Sequence, residues 1–189
     1  EKPLSSDYND SKDILELHKG TGLILSVGHI ERHNPVVKEL KFIIDKETLG
    51  HPITLSTRRI SSFPGRRDDV GVIFDLAIHD IDILNYLSGS KAVSVYALGG
   101  NHKNKNCEDF VSLLIDFENG IKGLCESNWL TPFKVRNLSM TTDLAFVEAD
   151  YINQVIEVSN SILLESSDNN PVFEVEKETM SVQRSEPLK

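Results

Sequence analysis

The sequence predicts a mixed α/β protein of the α+β kind, in which helices cover one face of an open, largely antiparallel sheet. Two observations support this class. Residues 1–46 alternate between helix-like and strand-like segments, whereas the residues after Ala92 form mainly short strands joined by turns. A change from mixed elements to successive strands is typical of a sheet whose helices are segregated to one side.

The first part of the chain predicts a helix followed by a strand. Ser5 to Lys19 has a partial apolar face, Asp7 or Asn9 can cap its start, and Gly20 ends it. The apolar run from Leu23 to Val27 has the length and composition of a short buried strand. We therefore expect this strand to be covered on both faces.

A second helix is predicted by Asn34 and Pro35, which suit the cap and the first helical position. We expect this helix to reach about Lys46. Pro52 to Arg59 then alternates between polar and apolar residues, as a strand does.

Several later segments predict strands. Asn119-Gly120 is a strong signal for a tight hairpin after Phe110–Phe117. The other strand-like segments are Ala92–Leu98, Ile121–Leu130, Val135–Thr141 and Leu144–Ala149, with Gln154–Val158 and Val172–Val175 as weaker candidates for edge strands. Together they predict a substantial sheet.

A long helix from about Asp69 to Leu87, ended by Gly89, is the most informative segment. Apolar residues occupy most of its sides, which indicates a buried helix. Asp75, His79 and Asp82 nevertheless follow the i, i+4, i+7 spacing of one narrow face. Burying such groups is costly unless they pair or line a cavity.

This polar face has two interpretations. In the catalytic one, Asp75 orients His79 and raises its pKa, so that His79 exchanges a proton with a substrate hydroxyl near neutral pH. In the structural one, His79 is a satisfied core histidine and the two aspartates accept hydrogen bonds from nearby loops. Asp80 points away from this face, so we expect it to be solvated or bonded to a loop.

The composition excludes several classes of protein. The net charge of −9 argues against a broad nucleic-acid surface. No apolar run approaches the ~18 residues of a membrane span, and no signal peptide opens the chain. Cys107 and Cys125 both lie in strand-like segments and predict two reduced, buried thiols, with a cross-strand disulfide as the lesser alternative. We expect a cytoplasmic protein that has no metal site and that binds neither a membrane nor a nucleic acid.

Three segments resemble those of a known family. They are Glu1-Lys2-Pro3, then Val27-Gly28-His29-Ile30-Glu31-Arg32-His33-Asn34-Pro35, then Asp69-Val70-Gly71-Val72-Ile73-Phe74-Asp75-Leu76-Ala77-Ile78-His79-Asp80-Ile81-Asp82. In this order and at these distances they are similar to the glucose–fructose oxidoreductase, inositol dehydrogenase and rhizopine-catabolism (Gfo/Idh/MocA) family. Each motif alone is weakly specific, but the ordered set is specific and covers essentially the whole chain.

The resemblance implies two domains. Residues 1–30 would be the C-terminal remnant of an NAD(P)-binding Rossmann domain. Residues 31–189 would be a substrate-binding and oligomerisation domain, truncated at its last helix. The phosphate-binding fingerprint G-x-G-x-x-G is absent from the sequence, and we expect it upstream of Glu1. Alone, the chain is expected to bind NAD(P) poorly or not at all.

The resemblance also implies the chemistry. The family's catalytic lysine and D-x-x-x-H pair correspond to Lys2, Asp75 and His79. The implied reaction is hydride transfer between NAD or NADP and a hydroxyl-bearing sugar carbon. His79 would act as general base, and Lys2 would stabilise the oxyanion beside the nicotinamide. The residues implied to bind the cofactor are Glu1, Lys2, Pro3 and Arg32.

Arginines near the long helix suit an anionic substrate. Arg58, Arg59, Arg66 and Arg67 precede the helix, and guanidinium groups match the oxygens of a diphosphate. Within the family, the stretch from Arg58 to Asp82 is most similar to archaeal-type UDP-N-acetylglucosamine 3-dehydrogenases. This implies a UDP-sugar as substrate, and Asn128 is a further candidate contact.

The cationic residues also have structural alternatives. Without the family, Lys2 is a solvated terminal lysine. Arg32 would form a surface ion pair with Glu31 or Glu39. The arginines before the long helix would belong to a basic surface loop.

Three functions stay open. The first is a dehydrogenase of a sugar nucleotide, inositol or another polyol. The second is a relative that uses the fold for another reaction, such as redox-neutral glycoside cleavage. The third is a non-catalytic assembly domain. We expect a homo-oligomer, a dimer or tetramer, formed through the open sheet face. A row of Val111, Leu113, Ile115 and Phe117, if helices do not cover it, would favour such association.

Overall fold

The computed structural model describes residues 1–65, 70–164 and 172–186. The helices are α1 (Tyr8–His18), α2 (Pro35–Lys46) and α3 (Ile78–Ser88), with a 3-10 turn at Ile30–His33 and a π-helical turn at Ile73–Ala77. The strands are β1 (Pro52–Ser62), β2 (Ala92–Gly100), β3 (Phe110–Phe117), β4 (Lys122–Asn128), β5 (Leu130–Thr142), β6 (Ala145–Asp150), β7 (Val155–Leu164) and β8 (Val172–Ser181). None of the helices within these ranges is long and apolar enough to cross a membrane.

The strands form one mixed sheet. Its order is β2-β3-β4-β1-β5-β6-β7-β8, so that β1, the first strand in the chain, lies inside the sheet. Strand β1 pairs with β4 in parallel and with β5 antiparallel. The other neighbouring strands are all antiparallel. The expected open and largely antiparallel sheet is therefore confirmed.

Helices α2 and α3 pack on one face of this sheet. In β3 the residues alternate between this covered face and the opposite, open face, as the period of two in a strand requires. Val111, Leu113, Ile115 and Phe117 are buried in the core with the two helices. Helices therefore cover this row, so it is not the surface for association that it would form if uncovered.

The start of α2 follows the predicted cap. The side chain of Asn34 accepts a hydrogen bond from the backbone N–H of Val36, and Pro35 occupies the first helical position. The Asn34 amide also donates to the carbonyl oxygen of Tyr151 at 3.3 Å. This contact joins the helix to the turn between β6 and β7, so the cap also fixes α2 on the sheet.

The hairpin turn lies where it was predicted, and the later strands differ from the prediction in their bounds. Gly120 has a φ of 92°, a conformation that glycine adopts without steric cost. The segment Ile121–Leu130 is divided between β4 and β5 in the structure. Strands β7 and β8 are longer than expected. Of these two, only β8 is an edge strand, because β7 pairs with β6 on one side and β8 on the other.

One predicted strand is wrong. Leu23 to Val27 forms no regular strand, and the side chains of Leu23 and Ile24 are 72% and 97% exposed. An apolar run becomes a strand only beside another strand, and this run has no such neighbour among the described residues. The preceding helix, α1, is capped by Asp7 as expected.

The helix that carries His79 begins differently from the prediction. The predicted cap, Asp69, lies outside the described residues. The described start is held by Glu108, whose backbone oxygen accepts from the N–H of Val72 and whose carboxylate accepts from the N–H of Ile73. The end at Gly89, with a φ of 61°, is as predicted.

Candidate active site

The π-helical turn that precedes α3 positions the N-terminal lysine. In this turn the N–H of Ile78 reaches back to the carbonyl oxygen of Ile73, a wider pattern than that of an α-helix. The ammonium group of Lys2 donates to the carbonyl oxygens of Phe74 and Asp75, each at 2.8 Å. Its Nζ atom also lies 3.9 Å from Oδ1 of Asp75. Lys2 is therefore fixed on the helix and is not a solvated terminal lysine.

His79 lies one turn after this anchor and is largely buried. No hydrogen-bond partner for its buried Nδ1 atom lies among the described residues. Burial, together with the positive charges of Arg59 and Lys2, lowers the pKa of His79 from 6.5 to about 4. The prediction that Asp75 raises this pKa is wrong, because burial and nearby cations dominate. The neutral imidazole is the form that can accept a proton.

A buried ion network lies beneath His79. The guanidinium group of Arg59, on β1, binds both carboxylate oxygens of Asp80 at 2.9–3.1 Å. It also donates to Glu31 at 3.0 Å and lies over the ring of Tyr151. The side chains of Arg59 and Asp80 are each 2% exposed. The expectation that Asp80 is solvated or bonded to a loop is wrong, because its partner is a buried arginine.

The expectation that Arg59 belongs to a cluster for a diphosphate is wrong, because its guanidinium group is buried against Asp80 and Glu31. Arg59 shares the covered face of β1 with Leu55 and Thr57, and this alternation was the one available signal. The partner of Arg59 was not predictable from spacing, since Asp80 is on a different element. Arg136 belongs to the same group: its Nη1 atom lies 3.7 Å from Oε1 of Glu31.

Arg32 joins the 3-10 turn to α3. Its Nε and Nη2 atoms donate to the two carboxylate oxygens of Asp82 at 2.8 and 2.5 Å. Its guanidinium group also lies over the ring of Tyr86. Nδ1 of His29 is 3.6 Å from the same carboxylate. The partner of Arg32 is thus Asp82, and not Glu31 or Glu39 as the surface alternative supposed.

The structure brings some predicted site residues together and separates others. Lys2, Asp75 and His79 form one group on the covered face. Glu1 and Pro3 flank Lys2, and the backbone of Glu1 packs against Gly28.

Arg58 and Asn128 lie on the open face. Arg58 follows the opposite side of β1 from Arg59, and its Nε atom pairs with Glu126 at 2.8 Å. The Asn128 amide donates to the same carboxylate. Two other predicted contacts, Arg66 and Arg67, lie outside the described residues.

The lowered pKa of His79 predicts a specific pH dependence. Between pH 6.5 and about 4 the unfolded chain binds more protons at this histidine than the folded protein does. Its contribution therefore makes the protein less stable as the pH falls through this range. We expect the NMR resonance of the His79 ring to titrate near pH 4, with His79→Gln used for assignment. A midpoint at or above 6.5 would contradict the structure.

The fold and the site together define a domain that presents a lysine and a buried histidine beside a helix-covered antiparallel sheet. A family model described as the GFO/IDH/MocA C-terminal domain matches residues 37–144, more than half of the chain. The chain therefore belongs to the GFO/IDH/MocA family, and the resemblance predicted from the three motifs is confirmed.

Individual relatives agree with this assignment. UDP-N-acetylglucosamine 3-dehydrogenase of Acidithiobacillus ferrooxidans is 25% identical over 158 residues, covering 84% of this chain and 49% of that protein. scyllo-Inositol 2-dehydrogenase (NAD(+)) of Bacillus subtilis is 32% identical over 142 residues, covering 70% of this chain and 42% of that protein. These curated relatives are dehydrogenases, and the chain spans about half of their length or less.

The fold also matches a solved structure. A structure of UDP-N-acetylglucosamine 3-dehydrogenase from Acidithiobacillus ferrooxidans superposes with a TM-score of 0.82 at 22% identity. The match covers 99% of this chain and 57% of that chain. At this identity the likeness establishes the fold.

Proposed function

We propose that the intact protein is an NAD(P)-dependent dehydrogenase that oxidises a hydroxyl-bearing carbon of a sugar, in particular of a UDP-sugar. The observation that carries this proposal is the neutral, largely buried imidazole of His79 next to the anchored ammonium group of Lys2. The relatives that act on UDP-N-acetylglucosamine and on an inositol support the class of substrate.

The two side chains divide the work. In the oxidation, the imidazole of His79 accepts the proton of the substrate hydroxyl, which it can do because its lowered pKa keeps it neutral. The ammonium group of Lys2 stabilises the negative charge that develops on the same oxygen. A bound nicotinamide would supply the acceptor for the hydride of that carbon. Asp75 is a positioning residue, since its carbonyl oxygen and carboxylate hold Lys2.

The donor groups fit this cofactor chemistry. The side chain of Lys2 is 16% exposed and has one fixed position, given by two carbonyl oxygens. An ammonium group fixed in this way suits an oxyanion that forms as a hydride leaves. NAD is favoured by the name of the Bacillus subtilis relative, and NADP is the alternative.

We further propose that residues 1–30 complete the nucleotide-binding domain and that residues 31–189 form the substrate domain. The strand-like but exposed run at Leu23 and Ile24 supports this division, because such a run pairs readily with further strands.

A cytoplasmic location is supported by Cys107 and Cys125, which are not joined by a disulfide. Cys125 is buried as expected, whereas Cys107 is partly exposed in the loop before β3.

The direct test is a dehydrogenase assay on the intact protein. Formation of NADH or NADPH at 340 nm should accompany the oxidation of UDP-N-acetylglucosamine, with scyllo-inositol as the alternative substrate. Release of a sugar without net reduction of the cofactor would instead favour glycoside cleavage. A protein that binds neither cofactor nor sugar would favour the assembly role.

A second copy of the chain is the proposed partner of the open sheet face. Here the apolar side chains lie at the β2–β3–β4 end, where Tyr96, Leu98, Leu114 and Leu124 are 37–61% exposed. Tyr96, Leu114 and Leu124 occupy paired positions across the three strands, and Leu98 lies two residues further along β2 in the same groove. Burying such a patch between two subunits is favourable.

We expect Leu114→Glu to convert the oligomer into a monomer, because it places a charge in the centre of the patch. The control is Lys46→Glu, at the exposed end of α2 on the other side of the sheet. Analytical ultracentrifugation measures the oligomeric state of both variants. A wild-type protein that is monomeric at high concentration would contradict the proposal.

A further inference from the structure

Two neighbouring cations lie on the covered face beside His79 and have no part in the function proposed so far. They are Lys134 and Arg136, two residues apart on β5 and therefore on the same side of that strand. The positive charge of Arg136 lowers the pKa of Lys134, so the two groups are close enough to repel each other. Arg136 lies opposite Arg59 in the pairing of β5 with β1, and Arg59 binds Asp80, the residue after His79. The positive charge of Arg136 also contributes to the lowered pKa of His79.

The available carboxylates do not compensate this pair. Arg136 lies 3.7 Å from Oε1 of Glu31, but Arg59 binds the same oxygen at 3.0 Å. No carboxylate among the described residues forms an ion pair with Lys134, which is exposed. Two like charges held together in this way are unfavourable until an anion is shared between them.

We propose that Lys134 and Arg136 bind an oxyanion of the substrate, either a phosphate or a carboxylate group, next to the carbon that reacts at His79. The guanidinium group of Arg136 suits two oxygens of such a group, and the ammonium group of Lys134 adds a point charge. This inference rests on the proposed function only for what happens at His79. The anion site itself is defined by the two cations.

The open face is a poorer place for an anion. Arg58, predicted to contact a diphosphate, is neutralised by Glu126 at 2.8 Å. A groove of about 650 Å³ along β5, β6 and β7 is lined by Lys134 and Arg136 themselves, but also by Glu148, Asp150 and Glu157. Glu148 and Glu157 occupy paired positions on neighbouring strands. Their charges would repel a phosphate or carboxylate, which favours the side of Lys134 and Arg136 that faces His79.

Binding measured by calorimetry, without turnover, tests the anion site in the intact protein. The probes are UDP-N-acetylglucosamine, which carries a diphosphate, glucuronate, which carries a carboxylate, and uridine and scyllo-inositol, which carry neither. The variants are Lys134→Gln and Arg136→Gln. Arg136→Lys keeps the charge, and Lys122→Gln removes the same charge from the open face, where Lys122 pairs with Asp116.

We expect Lys134→Gln and Arg136→Gln each to raise the Kd of the anionic probe by about tenfold, a typical loss for one charge-assisted hydrogen bond. Arg136→Lys should retain most of the binding, and Lys122→Gln all of it. The Kd of scyllo-inositol and uridine should not change. Preference for UDP-N-acetylglucosamine or for glucuronate identifies the oxyanion as phosphate or carboxylate.

The proposal is overturned if neither anionic probe binds the wild-type protein, or if Lys134→Gln and Arg136→Gln bind as tightly as Lys122→Gln does. Its failure is distinct from failure of the dehydrogenase proposal. If the protein oxidises scyllo-inositol but neither substitution changes anion binding, the dehydrogenase proposal stands and the anion site is contradicted. If the protein shows no turnover but both variants bind the anion more weakly, the anion site stands and the dehydrogenase proposal is contradicted.

Discussion

Replacing His79 with alanine should lower the kcat of the intact protein by about 10²- to 10⁴-fold, the usual contribution of a general acid–base group. Without the imidazole, the reaction loses the base proposed to accept the hydroxyl proton as the hydride leaves. The affinity for NAD(P) should change little, because His79 acts on the substrate oxygen. Steady-state kinetics and cofactor titration on the same preparation measure the two effects.

The matched control is His51→Ala. His51 is an exposed histidine before β1, near Glu47, and its loss should leave kcat unchanged. If His79→Ala retains full turnover, the assignment of the general base is wrong. If both variants lose activity equally, the effect is on folding and not on the chemistry.

Replacing Arg59 with methionine should destabilise the fold by roughly 3–5 kcal/mol, the usual cost of removing one member of a buried ion pair. The substitution leaves the carboxylates of Asp80 and Glu31 buried without the guanidinium group that binds both. Methionine fills similar space, so little of the loss comes from a cavity. Urea unfolding gives the change in free energy of unfolding.

The neighbouring residue provides a strict control. Arg58 also pairs with a carboxylate, that of Glu126, but on the open face, where both side chains are about half exposed. We expect Arg58→Met to cost no more than about 1 kcal/mol, the range of surface ion pairs. Equal losses for the two variants would mean that the network around Arg59 contributes nothing beyond a surface pair.

Local signals predicted much of the fold. The Asn34-Pro35 cap, the hairpin at Asn119-Gly120 and the helix end at Gly89 each depend on a few adjacent residues. The strand order does not depend on adjacent residues, because β1 pairs with strands more than 60 residues away. The predicted strand at Leu23 to Val27 failed for the same reason: a strand needs a neighbour to pair with, and this run has none in the part of the chain that the structure describes.

The arrangement of the candidate site differs from the one predicted. The i, i+4, i+7 argument assumed a regular α-helix through Asp75, His79 and Asp82. The π-helical turn at Ile73–Ala77 changes the phase of the helix between Asp75 and the residues that follow. Asp75 therefore contacts Lys2, and Asp82 contacts Arg32, instead of both facing His79.

The electrostatics of the site depended on a contact between distant segments. The apolar sides of the long helix indicated burial, but gave no reason to expect a guanidinium group inside. Asp80 was therefore assigned to solvent, whereas it binds Arg59. The reversed direction of the pKa shift at His79 follows from the same arginine and from burial.

The position of β1 inside the sheet has a consequence for the order of folding. This strand is synthesised first among the eight, yet its hydrogen-bonding edges are filled by Lys122–Asn128 and Leu130–Thr142. On the ribosome, β1 must wait for about 60 to 80 further residues before either edge is satisfied, a delay of several seconds at typical rates of synthesis. Non-local pairing of this kind slows folding. During this interval both edges of β1 present unpaired backbone groups, to which a chaperone can bind.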